Sequence, residues 1–263
     1  MLGWPLDGTL SPFIHTAAFE SLGIPWTYLA WPVPPERLAA AVDGLRTLGA
    51  VGANVTMPHK STVMQLLDEV SEDARRLGAV NTIARVGDDL LGHNTDVAGF
   101  SASLQQSGAE VAGRSALVLG AGGAARAVVR ALDQMGAADI AVSARRPKAA
   151  EAVARLARGG RAHKWGQREE SATAAAVVVN TTPVSGAGED PLSGVLFEPG
   201  QVVVDLVYVP AETELLLRAR AQGALAVSGL GMLVHQAAAS VRIWTGLDPP
   251  LEEMWRAAMP SGR

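Results

Sequence analysis

Two side chains in this sequence have the types that proton transfer requires. Lys60, in "GANVTMPHK", and Asp96, in "GHNTD", each stand among small polar residues at the end of an apolar stretch. Asn54, Thr56 and Lys60 lie around the end of a predicted strand, where open α/β sheets place ligand-binding groups. A lysine and an aspartate brought together beside a bound dinucleotide would exchange a proton with an alcohol or ketone while a hydride moves. Spacing alone leaves open whether they meet. A single lysine is ordinarily solvated, and Asn94, Thr95 and Asp96 fit a turn and helix N-cap equally well, because short side-chain oxygens accept from free backbone N–H groups.

The dinucleotide is suggested by "SALVLGAGGAARAVVRALDQMG", an apolar strand, a glycine turn and a helix. Gly120, Gly122 and Ala125 have GxGxxA spacing in the context that gives it meaning. Gly120 would permit the tight turn, Gly122 the approach of a pyrophosphate, and Ala125 close packing of helix on strand. The helix N-terminus adds free N–H groups and a positive dipole end. At the end of the next strand an NAD site wants an acidic residue for the ribose 2′-OH, whereas a 2′-phosphate selects arginine. The sequence there reads "SARRP", with Arg145 and Arg146, so NADP is the expected cofactor. The bland alternative is a plain turn followed by two solvated arginines.

Bulk properties narrow the classes further. At 263 residues two domains are expected, and a net charge of −4 without a basic stripe makes nucleic acid a poor partner. The absence of cysteine excludes disulfides and thiolate chemistry and fits a cytoplasmic protein. No apolar run is long enough for a membrane span, and "MLGWPLDG" does not read as a leader. The histidines, His15, His59, His93, His163 and His235, show no metal-binding spacing on one helical face, so no metal is expected.

The elements that must position these residues alternate. "SPFIHTAAFESLG" reads as a helix entered through Ser11 and Pro12 and stopped at Gly23, and "WTYLAWPV" as a strand. "PERLAAAVDGLRTLG" is helical, "GANVT" extended, and "MPHKSTVMQLLDEVS" helical again. "AVNTIARVGDDLLGHNTD" reads as a hairpin with "GDD" at its turn, and "VAGF" begins the next helix. Beyond the glycine turn, "ADIAVSARRP", "AAAVVVNTTP" and "GQVVVDLVY" are strands covered on both faces, implying a parallel, doubly wound sheet. "GLGMLVHQAAASVRIWTG" and "PLEEMWRAAM" read as two closing helices.

Nearly end to end, the chain resembles the shikimate dehydrogenase family. "GWPLDGTLSPFIH", "NVTMPHK", Gly78 to Thr82, Gly92 to Asp96, Gly120 to Ala127, Asn180 to Pro183, "DLVYVPAET" and "GLGMLVHQA" follow the family's motifs in order. The resemblance implies an α/β fold of two domains: residues 1–97 plus 229–263 binding substrate on a mixed sheet, and residues 98–228 forming a Rossmann NADP domain. The closing helices would return to the first domain and bring Gln236 to the cleft. It implies reversible NADPH-dependent reduction of 3-dehydroshikimate to shikimate, a step of aromatic amino acid biosynthesis, by a monomer or homodimer with small-molecule partners. Lys60 and Asp96 would be the catalytic pair. Thr9, Ser11, Asn54, Thr56, Asn81, Thr95, Tyr208 and Gln236 would hold the substrate's carboxylate and hydroxyls. Gly120, Ala121, Gly122, Gly123, Ala124, Ala144, Arg145, Arg146, Thr181, Leu206 and Gly229 would hold NADP.

Two departures stand out. Gly8 and Thr9 replace the family's His-Ser pair, retaining a hydroxyl and adding a methyl that bears on the choice between shikimate and quinate. Only Met1 and Leu2 precede the GxP segment, where relatives carry an apolar strand; a gap in the first sheet and a natural start upstream are therefore expected. A quinate or aminoshikimate dehydrogenase, a folate-linked methylene dehydrogenase and a catalytically silent NADP or shikimate sensor remain as alternatives, the folate enzyme fitting "NTD" and "SP" poorly.

Overall fold

The computed structural model describes residues 1–6, 8–184 and 189–259. By its internal contacts the chain divides into Met1–Gly99 with Leu233–Arg263, and Phe100–Met232.

The first unit carries β1 (Leu2–Gly3), α1 (Ser11–Ser21), β2 (Trp31–Pro32), α2 (Leu38–Thr47), β3 (Gly52–Asn54), β4 (Glu69–Val70), α3 (Glu72–Leu77), β5 (Thr82–Val86), β6 (Asp89–His93) and the start of α4 (Asp96–Gln106). Its main sheet has the order β3-β5-β6-β4, with β5 antiparallel to both β3 and β6 and β4 parallel to β6. β5 and β6 form the expected hairpin, turning at Gly87, whose φ of 64° suits a residue without a side chain. Leu2, Val42, Leu45, Ala53, Val55, Val63, Val80, Ile83 and Leu90 fill one core.

Five local expectations for this unit change. The strand over residues 26–33 shrinks to Trp31–Pro32, the part held on β1 by Trp31 N on Met1 O at 2.9 Å and Val33 N on Gly3 O at 2.8 Å. The helix expected over residues 57–71 is only a 3₁₀ turn at Thr62–Leu66 followed by β4. There the backbone N–H of Asp68 donates to Leu90 O at 3.1 Å and its carboxylate accepts from Leu90 N at 2.7 Å, so pairing with the hairpin overrides helical spacing. An unexpected helix, α3, follows, capped by Ser71 at its start and by Gly78 with φ 69° at its end. Leu10, not Ser11, occupies the cap of α1, and Ser11 is its first helical residue. The gap expected beside β1 is bridged where Leu2 and Gly3 run parallel to β2 and Leu2 bridges to Val55.

The second unit continues with β7 (Ser115–Leu119), α5 (Gly123–Gln134), β8 (Asp139–Ala144), α6 (Pro147–Ala154), β9 (Arg161–Lys164), α7 (Arg168–Ala174), β10 (Val177–Asn180), β11 (Val202–Asp205), α8 (Glu214–Ala221) and β12 (Leu225–Ser228). Its six strands are all parallel in the order β12-β11-β10-β7-β8-β9. Counted from β7, this is 6-5-4-1-2-3, the doubly wound order whose direction reverses between β7 and β10. Two members, β9 and β12, have no clear counterpart in the sequence reading: they are the edges, and β9 reads "RAHK" because three of its four residues are exposed.

Two helices close the chain, α9 (Gly229–Thr245) and α10 (Leu251–Ala258), and α10 packs on α1. Among the described residues no helix is long and apolar enough to cross a membrane, and no three acidic or imidazole groups gather as a metal site requires.

Candidate active site

Lys60 sits at the end of a tight segment that leaves β3. Its predecessor His59 is buried, with Nε2 2.7 Å from Val33 O and its backbone N–H on Thr56 O at 2.9 Å. Val80 N donates to Lys60 O at 2.8 Å, so the backbone on both sides of the lysine side chain is held. Asp96 is the first residue of α4, immediately beyond the hairpin, where a carboxylate is favoured by the helix dipole. The two side chains meet: Lys60 Nζ lies 2.6 Å from Asp96 Oδ2, a short charge-assisted bond, with only 17% and 5% of the side chains exposed.

The other oxygen of Asp96 is held as well. Asn81 Nδ2 donates to Asp96 Oδ1 at 2.8 Å, while Asn81 Oδ1 accepts from Thr95 N at 2.8 Å. That backbone N–H can only donate, so it assigns the orientation of the Asn81 amide. Gln236 Oε1 lies 3.5 Å from Asn81 Nδ2, and Gln236 Nε2 donates to Leu233 O at 2.8 Å. α9 approaches here because Gly99 has no side chain: a Cβ on it would lie 2.8 Å from Gln236 N.

The trio "NTD" therefore divides its duties. Asn94 makes the turn, accepting from Asp96 N at 3.0 Å and donating to Ala79 O at 3.0 Å. Thr95 contributes to the Asn81 cluster, and Asp96 faces Lys60. Asn54 is deeper than a ligand-facing group need be: its Oδ1 accepts from Tyr28 Oη at 2.6 Å and its Nδ2 lies 3.0 Å from Ser240 Oγ and 3.2 Å from Asn81 O.

Thr9, Ser11 and Thr56 are not hydrogen-bonded to this cluster among the described residues. Thr9 Oγ1 accepts from Ser11 N at 3.3 Å and lies 3.6 Å from Met1 Sδ. The hydroxyls of Ser11, which is buried, and of Thr56 have no partner among the described residues and stand available to a ligand. Thr56 packs against Gly3, where a Cβ would come within 2.3 Å of Thr56 Cγ2. Tyr208 belongs to the other unit, half-buried beyond β11.

In that unit the glycine turn has the features a pyrophosphate needs. Gly120 has φ 108°, and a Cβ there would lie 2.4 Å from Thr181 Oγ1, whose hydroxyl donates to Leu119 O at 2.6 Å. Gly120 thus lets the ends of β7 and β10 close on each other at the point where strand order reverses. Gly122 caps α5, no side chain occupies the cap, and a Cβ on Gly122 would meet nothing within 4 Å. Space and free N–H groups at Gly122, Gly123 and Ala124, flanked by Ala121, fit an anion at the helix end. Ala125 is fully buried beneath.

Ala144 ends β8, and Arg145 and Arg146 follow it, both exposed and with no side-chain partner among the described residues. Two unneutralised guanidinium groups there fit a 2′-phosphate. Leu206 and Gly229 follow β11 and β12 and touch through backbone, a Cβ on Gly229 falling 2.4 Å from Leu206 O. These residues thus fit NADP as a group.

Sequence reasoning passed over His59, Tyr28, Thr82, Asp205 and Ser240 as supports. Asp205 is fully buried, accepts from Asn180 Nδ2 at 3.0 Å and Thr213 Oγ1 at 2.8 Å, and ties the ends of β10 and β11 to the cap of α8. Burial raises its pKa above the usual carboxylate value. The signal was present in the eight-residue interval from Asp205 to Thr213, but only the fold says that the two face each other.

Residues 1–83 match the family model for the shikimate dehydrogenase substrate binding domain, and residues 229–259 that for the shikimate 5'-dehydrogenase C-terminal domain. The chain is 42% identical over 266 residues to the shikimate dehydrogenase (NADP(+)) of Geobacter metallireducens, covering 95% of this chain and 91% of that protein. It superposes with a TM-score of 0.89 on the shikimate 5-dehydrogenase of Thermus thermophilus in complex with NADP(H) and shikimate, at 40% identity over 98% of this chain and 96% of the other. A quinate dehydrogenase from Corynebacterium glutamicum in complex with NAD gives a TM-score of 0.88 at 33% identity, covering 97% and 96%.

Proposed function

This chain belongs to the shikimate dehydrogenase family, and from that premise we propose that it catalyses the reversible, NADPH-dependent reduction of 3-dehydroshikimate to shikimate. The observation that carries the reading is the 2.6 Å Lys60–Asp96 pair. The first unit binds the substrate and the second binds NADP. The enzyme works in the cytoplasm, as a monomer or homodimer, on small molecules.

In the oxidising direction the C3–H bond of shikimate breaks with its electron pair, the C3–OH loses its proton, and a carbonyl forms. When bound, NADP⁺ is the acceptor of that hydride. Lys60 and Asp96 hold the C3 oxygen and take its proton as a coupled unit. Asn81 keeps the carboxylate aimed at Lys60, which spares the pair a reorganisation during the reaction. Ser11, Thr9, Thr56 and Gln236 supply neutral donors and acceptors to the remaining hydroxyls and the carboxylate; each unpaired buried hydroxyl would cost about 1–3 kcal/mol. Arg145 and Arg146 hold the 2′-phosphate, with Gly120 to Ala124, Thr181, Leu206 and Gly229 around the rest of the cofactor.

The test is absorbance at 340 nm with NADP⁺ and shikimate, for the wild type and Lys60→Ala. Turnover that collapses in the variant is expected; equal turnover in both would remove Lys60 from the chemistry. Quinate is the second substrate to assay, because the methyl group that Thr9 adds bears on the choice between the two acids. A kcat/KM for quinate exceeding that for shikimate would make that the principal activity.

A further inference from the structure

A line of buried polar side chains runs from the interior of the first unit to Asp96, and three of its members, Tyr28, Thr82 and Ser240, lie outside the groups given a catalytic or ligand role above. It starts at Tyr28, whose ring stacks on His15 at 4.2 Å with the planes 4° apart. Tyr28 Oη donates to Asn54 Oδ1 at 2.6 Å. The Asn54 amide is oriented by the carbonyl of Asn81, which can only accept, so Nδ2 faces Asn81 O, Ser240 Oγ at 3.0 Å and Thr82 Oγ1 at 3.2 Å. Ser240 spends its own proton on Gln236 O at 3.0 Å, one helical turn earlier in α9. The two N–H groups of Asn54 thus serve three acceptors, and the single Thr82 proton is shared between Asn81 Oδ1 at 3.0 Å and Ser240 Oγ at 2.9 Å. Asn81 Nδ2 then donates to Asp96 Oδ1.

From Tyr28 through Asn54, Thr82 and Asn81 each donor points toward the carboxylate, while Ser240 donates away from it to Gln236 O. Such chains polarise one another, and the low local dielectric strengthens them. Direction matters at the last step: a flipped Asn81 would turn its carbonyl oxygen to the Asp96 carboxylate and repel it. Two donors to Asn81 Oδ1 oppose the flip, the Thr95 N–H and the Thr82 O–H. Thr82 and Ser240 are both fully buried. Ser240 also ties α9, the helix that carries Gln236, to β3 and β5 through Asn54 and Thr82.

We infer that Thr82 and Ser240 are positioning residues for the Lys60–Asp96 pair, acting through the amide of Asn81 and, for Ser240, through the helix that presents Gln236. This rests on the dehydrogenase reading above. Neither residue touches the substrate; each fixes the orientation of one that does.

The experiment compares the wild type with Thr82→Val, which keeps the shape and removes the hydroxyl, with Thr82→Ser, which restores it, and with Ser240→Ala. Steady-state kinetics with shikimate and NADP⁺ are measured on each folded protein, and hydrogen exchange of the Asn81 side-chain amide is followed by ¹⁵N NMR. We expect kcat to fall about 10- to 50-fold in Thr82→Val with the KM for NADP⁺ within about twofold, recovery to within about threefold in Thr82→Ser, and about a fivefold fall in kcat in Ser240→Ala. The Asn81 amide should exchange about tenfold faster in Thr82→Val. A Thr82→Val protein with wild-type kcat, or a loss that serine fails to repair, overturns the inference. Should Thr82→Val not fold, Ser240→Ala decides, and an unchanged kcat there overturns it. A wild type that leaves shikimate unconverted fails the functional reading instead, and the Asn81 amide then decides alone: unchanged exchange in Thr82→Val, or in Ser240→Ala if the valine variant is unfolded, ends the proposal.

Discussion

The two candidate binding regions are built on opposite plans. Around Lys60 and Asp96, side chains do the positioning: Tyr28, Asn54, Asn81, Thr82, Thr95 and Ser240 satisfy one another in a buried interior. Around Gly120 and Gly122 it is the lack of side chains that counts, one glycine letting two strand ends close and the other leaving open space over a helix N-terminus. The first plan suits recognition of a small polyol, whose hydroxyls must each find a particular partner. The second suits a pyrophosphate, which backbone N–H groups bind without needing side-chain identity. Substitutions should therefore act differently in the two regions, by deletion of a group in the first and by addition of atoms in the second.

The largest effect expected is in the first region. Asp96→Asn should lower kcat about 10²- to 10⁴-fold, the range for loss of a positioned acid–base group, with the KM for NADP⁺ little changed. A comparable rise in that KM would break the separation of roles. Next, replacing both Arg145 and Arg146 by alanine should raise the KM for NADP⁺ about 10- to 100-fold, since hydrogen bonds to charged groups contribute about 1.5–3 kcal/mol. The shikimate KM should hold, and the NADP⁺ penalty should shrink as salt screens the wild-type attraction.

A smaller change sharpens the contrast within the glycine turn itself. Gly122→Ala should leave the melting temperature within about 2 °C while weakening NADP⁺ binding about tenfold, because the new methyl fills space meant for the ligand. Gly120→Ala should destabilise the protein even without cofactor, its Cβ meeting Thr181 and its φ being positive. Equal melting temperatures for the two variants would remove the distinction.

The smallest effect concerns pH. His15 is fully buried, its ring nitrogens have no hydrogen-bond partner among the described residues, and burial pushes its pKa from 6.5 down to about 3. The folded state holds the ring neutral, whereas the unfolded chain takes up a proton below about pH 6.5. Its contribution is therefore complete above pH 6.5 and is lost as pH falls toward 3, at up to about 1.4 kcal/mol per pH unit. Denaturant titrations of the wild type and His15→Leu between pH 7 and 5 should show the shallower dependence in the variant.

Local signals were legible where chemistry is local. The β7 turn, the β5–β6 hairpin and the closing helices could be read because glycines, alternation and helical spacing act within a few residues. Residues 57–71 were misread because Asp68 is claimed by Leu90 of the hairpin, a contact that no window across that segment contains. The polar edge strand β9 was missed for a related reason: its pairing with β8, not its own pattern, makes it a strand.

The sequence by itself determined which groups were available: a lysine, an aspartate, their neighbouring amides and hydroxyls, a glycine turn opening a helix, and arginines where a second phosphate would lie. Those are properties of residue type and near-neighbour spacing, and the chain carries them before it folds. Tertiary structure alone decided that Lys60 and Asp96, 36 positions apart, meet at 2.6 Å, and that the Asn81 amide faces the carboxylate with its N–H. The physical reason is that a charge pair and an amide orientation depend on distances and burial, and these arise only when β3, β5, β6 and α9 close around one buried cluster.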